Sequence, residues 1–258
     1  MADLLCERAS SALILTLNRP QVMNALSSEL AADIQKAVEN ARDDPGVRTI
    51  ILTGAGDRAF CAGMDLKQRS ALTPDQKWAQ SRAGWHLYQS LMESPKAVIA
   101  AIGGWCLGGG FELALACDLR YAADDARFGW PEMTLGAYPG GGAAILLPRL
   151  VGRARAKELF FTARRIGAEE ALTMGLVQRV VPREKLMDCA LEVARSIEAT
   201  SPLGLAAVKR SVNEGADLPM DDAATLDQRL RRPLEATHDY EEGIKAHFEK
   251  RKPVFRGN

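Results

Sequence analysis

Two glutamates in unusual company are the side chains best placed to do chemistry. Glu112 lies in Gly108-Gly109-Gly110-Phe111-Glu112-Leu113, just after the apolar run Ala97 to Ile102 and the pair Gly103-Gly104. The pattern reads as a strand that ends, a glycine turn where backbone can approach a ligand closely, and a helix that begins. The first N–H groups of a helix lack intrahelical partners and carry partial positive charge. Gly109 N–H is therefore suited to meet a developing oxyanion. Glu112, three residues on, shares its helical face. An acid/base carboxyl would then stand beside an oxyanion donor. A tight packing turn with an acidic first-turn residue has the same pattern, and these residues alone leave both readings open.

Glu132 follows in Phe128-Gly129-Trp130-Pro131-Glu132-Met133. Trp130 and Pro131 make its surroundings rigid and apolar, which disfavours the charged form and would keep a carboxyl protonated near neutral pH. The alternative is an ordinary surface glutamate at a helix start after proline. A separation of 132 − 112 = 20 residues lets the two acids meet without requiring it. A third candidate is Gly104-Trp105-Cys106-Leu107-Gly108, which fits G-x-C-x-G between a strand and a helix. That is the setting of a nucleophile elbow, with Cys106 as nucleophile and His238 as base of a hydrolase. A small buried thiol in a glycine-rich turn fits the same residues.

Other chemistries lack their motifs. Neither a strand-turn-helix G-x-G-x-x-G nor G-x-x-x-x-G-K-[ST] occurs. The three histidines, His86, His238 and His247, have no metal-ligand spacing, so no metal site is expected. The basic clusters Arg153, Arg155, Lys157 and Lys250, Arg251, Lys252 have no interleaved aromatics. They read as solvated helix faces, and no nucleic-acid partner is expected. Lys+Arg and Asp+Glu both number 33, so no net field steers an anion, and any anion site must be local. Hydrophobic residues at 47% and charged ones at 26% are an ordinary globular mix and exclude a disordered chain.

At 258 residues the chain fits one large domain or two small ones. Its five cysteines are scattered without C-x-x-C and read as reduced thiols. The first ten residues hold Asp3, Glu7 and Arg8 and no apolar leader. The uncharged, glycine-rich stretch Ala97 to Phe111 is shorter than the ~18 residues a membrane span needs. The expected setting is cytoplasmic, with no membrane partner.

These residues must be positioned by alternating strands and helices. Ser11 to Leu17 reads as a strand, stopped by Asn18-Arg19-Pro20, and Val47 to Thr53 as a buried strand. Leu30, Ile34, Val38 and Ala41 mark one face of a helix that Pro45-Gly46 ends. Phe60 to Lys67 turns toward a short helix, and Thr73 to Ser94 reads as a helix after a mobile loop, with Trp78, Trp85 and His86 as packing residues. Leu119 to Ala122, Arg127-Phe128 and Val177 to Val181 read as extended. Helical stripes follow at Leu186, Ala190, Val193, Ile197 and at Tyr240, Ile244, Phe248. The result is α/β layering to about residue 200, with helices alone after Pro202.

The chain resembles the enoyl-CoA hydratase/isomerase, or crotonase, superfamily. The matching pieces are Asn18-Arg19-Pro20 with Asn24-Ala25-Leu26, Ala59 to Leu66, Gly108 to Ala114 with Cys117-Asp118, and Phe128 to Glu132. Leu135-Gly136 with Pro139-Gly140, Ala168 to Val177, and Glu249-Lys250-Arg251-Lys252 complete a match that runs in order along nearly the whole chain.

The resemblance implies an α/β fold, a crotonase-like spiral of repeated ββα units over residues 1–200. A C-terminal helical region, 201–258, would serve oligomerisation and cover the acyl-CoA pocket. Homotrimers or dimers of trimers are implied. An acyl-CoA thioester carbonyl would sit between the backbone N–H groups of Met64 and Gly109. Ala62, Asp65, Leu66, Lys67 and Gly108 would line the path of the CoA. Glu112 and Glu132 correspond to the two acids of the hydratases, which add water to a 2-enoyl-CoA to give the 3-hydroxyacyl-CoA. Isomerases of the same fold often keep only the second acid. No cofactor is implied beyond coenzyme A as part of the substrate. The chain departs from many hydratases at Gly141-Gly142-Ala143-Ala144, where they have Gly-Thr-Gln-Arg, and at His247, where relatives commonly have an aromatic residue contacting CoA. Trp130 and Tyr138 are bulky choices beside the implied acyl pocket.

Overall fold

The computed structural model describes residues 2–258. The chain opens with a hairpin, β1 (Leu4–Ala9) and β2 (Ala12–Leu17), followed by α1 (Ser28–Arg42). A strand, a second strand and a helix then recur. The first round is β3 (Thr49–Gly54), β4 (Ala59–Cys61), α2 (Leu66–Ser70) and α3 (Pro74–Met92). The second is β5 (Ala97–Ile102), β6 (Trp105–Leu107) and α4 (Gly109–Leu115). The third is β7 (Leu119–Ala123), β8 (Arg127–Gly129), α5 (Ala143–Val151) and α6 (Arg153–Thr162). The chain continues through β9 (Ile166–Gly167), α7 (Ala168–Thr173), β10 (Arg179–Val181) and α8 (Leu186–Glu198), and finishes with α9 (Pro202–Gly215), α10 (Met220–Arg231) and α11 (His238–Phe248).

In each round the first strand joins a six-stranded sheet, ordered β1-β2-β3-β5-β7-β10, and the second joins a four-stranded sheet, ordered β4-β6-β8-β9. All pairings from β2 to β10 in the larger sheet are parallel. This is the α/β spiral of ββα units. Its central strands β3, β5 and β7 are largely buried on both faces, as parallel sheets require. Along β3, Ile50 and Leu52 enter one core and Ile51 the other. α8 covers that second face with Leu186, Cys189, Ala190 and Ala194. α1 buries Leu30, Ile34, Val38 and Ala41, the predicted face, after its Ser27 hydroxyl accepts from Leu30 N–H.

Some elements differ from the sequence-based expectation. β1 exposes four of its six residues, so its strand character comes from pairing with β2 and not from an apolar pattern. β6 is only three residues long, inside a glycine-rich stretch that reads as one turn. On α11 the stripe Tyr240, Ile244, Phe248 faces outward, and the helix buries Asp239 and Ala246 instead. Asp239 accepts from the amides of Arg256 and Gly257 and folds the tail back (2.7 and 2.9 Å). Trp78 and His86 are exposed and not core, because α3 turns that face outward; Trp85 is half-buried. Among the described residues, no helix is long and apolar enough to cross a membrane.

Candidate active site

The site gathers where the second ββα round crosses the loop after β4. β6 delivers the chain to Gly108, whose φ of +49° belongs to the left-handed half of conformational space. α4 starts immediately afterwards, so the Gly109 amide, as its first residue, has no partner within the helix. The loop Ala62 to Asp65 passes beside this amide. Leu26 and Met64 form a parallel bridge, in which Leu26 N–H donates to Gly63 O and Asp65 N–H donates to Leu26 O. In a parallel bridge the bonds to the partner come from the flanking residues, so the Met64 N–H faces away from Leu26. It faces Gly109. A Cβ at Gly109 would stand 3.5 Å from Met64 N, and a Cβ at Gly63 would stand 3.4 Å from Gly109 N. Glycine at these positions leaves a space bordered by two backbone amides.

Glu112 projects from the first turn of α4 and is 4% exposed. Its Oε1 accepts from the amides of Gly141 (2.8 Å) and Ala143 (3.2 Å), at the loop that starts α5. Burial pushes its carboxyl up to about 7; the two amides oppose this, and the nearby Glu132 charge adds to it. Glu132, on a short 3-10 turn after β8, is half-buried, and its Oε2 makes no hydrogen bond. Burial raises its carboxyl too, against smaller pulls from its own amide and that of Gly109. The Glu132 charge reaches Glu112, and both acids act on the Tyr88 hydroxyl. Residues twenty positions apart in sequence thus converge on one glycine-lined spot.

Of the supporting residues, Tyr88 was not legible as a site residue, and the contacts of Trp85, Trp130, Gly141 and Gly142 were not legible from the sequence. Tyr88, buried on α3, donates its hydroxyl to Gly109 O at 2.9 Å and packs against Gly141. A Cβ at Gly141 would come within 2.9 Å of Glu112 Cδ, so the loop can donate to Glu112 only as glycine. Gly142 has φ of +101° and packs under the Trp85 ring. Trp130 is fully buried and stacks on Phe111 at 4.3 Å, which joins the segment carrying Glu132 to the helix carrying Glu112. Only a buried tyrosine and consecutive glycines could have hinted at these contacts.

Of the remaining predicted positions, Asp65 and Lys67 line a second, open hollow of about 530 Å³, together with Arg19 and Gln68. Asp65 caps α2 by accepting from Gln68 N–H and pairs with Arg19 at 2.9 Å, so its carboxylate holds the loop in shape. Leu66 and Lys67 are exposed. Ala62 N–H donates to Met23 O at 3.0 Å. Gly108 lies beneath the Glu132 carboxylate. Tyr138 is exposed. Cys106 is fully buried, its thiol directed at Gly110 O (3.6 Å) and pushed well above its ordinary value by burial. Among the described residues no histidine hydrogen-bonds to it, and the small core thiol is the reading this geometry favours. Among the described residues, no cluster of His, Cys, Asp or Glu could hold a metal ion.

The family model for enoyl-CoA hydratase/isomerase matches residues 7–258. The crotonyl-CoA hydratase of Syntrophomonas wolfei is 38% identical, over 98% of this chain and 97% of its own. The short-chain-enoyl-CoA hydratase of Clostridium acetobutylicum is 36% identical, over 97% of this chain and 96% of its own. The crystal structure of an enoyl-CoA hydratase from Bacillus anthracis superposes with a TM-score of 0.97 at 36% identity, covering all of both chains.

Proposed function

Since the chain belongs to the enoyl-CoA hydratase/isomerase family, we propose that it adds water across the 2,3 double bond of an enoyl-CoA thioester, giving the 3-hydroxyacyl-CoA. The observation that carries this reading is the meeting of Glu112 and Glu132, both raised, beside the Gly109 amide. Addition of water needs a base for one proton and an acid for another on one small volume, and a single carboxyl would serve a double-bond shift.

The thioester oxygen accepts from the N–H groups of Met64 and Gly109, which lowers the cost of enolate-like charge. Such a donor is worth ~100–1000-fold in rate. Glu112 takes a proton from water as the water oxygen bonds to C3. Its charged form is favoured for this by the Gly141 and Ala143 amides. Glu132 delivers a proton to C2 from an oxygen that no protein donor occupies. Return of the extra proton from Glu112 to Glu132, through solvent, resets the pair. Positioned acid/base groups contribute ~100–10,000-fold. Ala62, Asp65, Leu66, Lys67 and Gly108 border the path assigned to the CoA. Val208 and Val212 on α9, Met220 and Phe248 leave apolar surface exposed. Self-association of residues 201–258 as a trimer, or a dimer of trimers, would cover it, and the mass in solution measures this.

The reaction is followed by loss of the ultraviolet absorbance of the conjugated thioester. Glu112→Gln and Glu132→Gln should each slow it by ~100-fold or more, while Cys106→Ala should stay within a few-fold of wild type. Wild-type hydration by either glutamate variant would sink the proposal. A Glu112→Gln protein that still converts a 3-enoyl substrate would make this an isomerase using Glu132 alone.

A further inference from the structure

The starts of β3 and β5 lie at the end of the large sheet opposite to the one that leads into Gly108 and Gly109. β5 alone spans ~20 Å between the two ends. At this far end a hollow of about 330 Å³ opens between α1, the two strand starts and the first turn of α9. Its lining carries four cationic side chains, Arg42, Arg48, Lys96 and Arg256, against one carboxylate, Asp43.

Among the described residues, none of the four forms an ion pair. Three are held instead by backbone carbonyls. Arg42 donates to Glu93 O (3.2 Å), Arg48 to Thr200 O (2.6 Å) and Lys96 to Asp44 O (2.9 Å). Carbonyls fix the heads in place without cancelling their charge. Asp44, which could have answered Lys96, is paired with Arg8. Burial, and then the Arg48 charge, push the Lys96 ammonium below its ordinary value, and the weaker opposing pulls of Asp44 and Asp43 do not restore it. The positive end of α9 adds to the same field. Four cations against one carboxylate, with no ion pair among the four, give this hollow a local positive field suited to an anion in a chain of zero net charge.

We propose that this hollow binds a phosphate-type anion, free or as the phosphate group of a small phosphomonoester, independently of the glutamate site. The test is calorimetric titration of the whole protein at low salt with inorganic pyrophosphate and with ribose 5-phosphate. Wild type should show one saturable event per chain. Heat from pyrophosphate alone assigns a free anion, and heat from both assigns the phosphomonoester. Arg48→Gln and Lys96→Gln should each weaken binding by about tenfold or more, as loss of a charge-assisted contact does. Arg256→Gln, at an exposed head, should also weaken it, and keeps the test valid if either half-buried variant misfolds. Lys67→Gln, at the other hollow, should leave it unchanged. No saturable binding by about 10 mM under low screening, or wild-type affinity in the Arg48, Lys96 and Arg256 variants, would overturn the proposal. So would loss caused by Lys67→Gln alone.

Discussion

The Glu132 carboxylate occupies the place that a side chain at Gly108 would need: a Cβ there would stand 2.8 Å from Glu132 Cδ and collide with Oε1. Gly108 also holds φ at +49° on the way into α4. Two independent demands therefore fall on one residue, and both come from the geometry that sets an acid beside the Gly109 amide.

Gly108→Ala should displace Glu132 and strain the backbone together. Expected are a fall in hydration of about 100-fold, the scale of one lost acid group, and a destabilisation of about 1–3 kcal/mol for a strained backbone position. Steady-state kinetics and urea unfolding measure the two effects. Near-normal turnover would mean that Glu132 moves aside without consequence.

The raised carboxyl of Glu112 makes stability depend on pH. Its folded value is about 7, against an ordinary 4.5. Between these values the native protein binds more protons than the unfolded chain, so stability falls as pH rises through this window and stays lowered above it. The full effect is on the order of 3 kcal/mol. Glu112→Gln keeps an acceptor for the Gly141 and Ala143 amides but carries no charge. It should therefore gain up to about 3 kcal/mol over wild type near pH 8 and little near pH 5. Urea unfolding at both pH values decides. The same difference at both would show that Glu112 is not held against its ionisation.

Lys209, on α9, ties the C-terminal helices to the core. Its ammonium reaches Asp118 Oδ2 at 2.8 Å and the carbonyls of Leu91 and Lys96 at 2.9 and 3.1 Å. Asp118 also accepts from Val98 N–H, so the pair joins α9 to β5. Lys209→Met strands a carboxylate that burial already pushes upward. A loss of about 3 kcal/mol is expected, the scale of a broken buried pair. Amide exchange over α9 should rise more than exchange over β5. Unchanged protection in α9 would show that apolar packing alone holds the helix.

Much of this protein is legible in its residues because the rules involved are local. The α1 stripe at Leu30, Ile34, Val38 and Ala41 follows from a period of 3.6, and the apolar strand β5 and the glycines opening α4 announce themselves within a few positions. The ordered motifs around Met64, Gly109, Glu112 and Glu132 pointed to the family. Other features depended on partners far along the chain. β1 is a strand because β2 lies beside it, and the Tyr240, Ile244, Phe248 stripe turned outward because Asp239 is bound to the returning tail. The convergence of Glu112 with Glu132, and the grip of Gly141 and Ala143 on Glu112, arose only when successive ββα rounds stacked in register. Periodicity reports which face of an element is apolar. Which faces meet is settled by packing and hydrogen bonding summed over the whole fold.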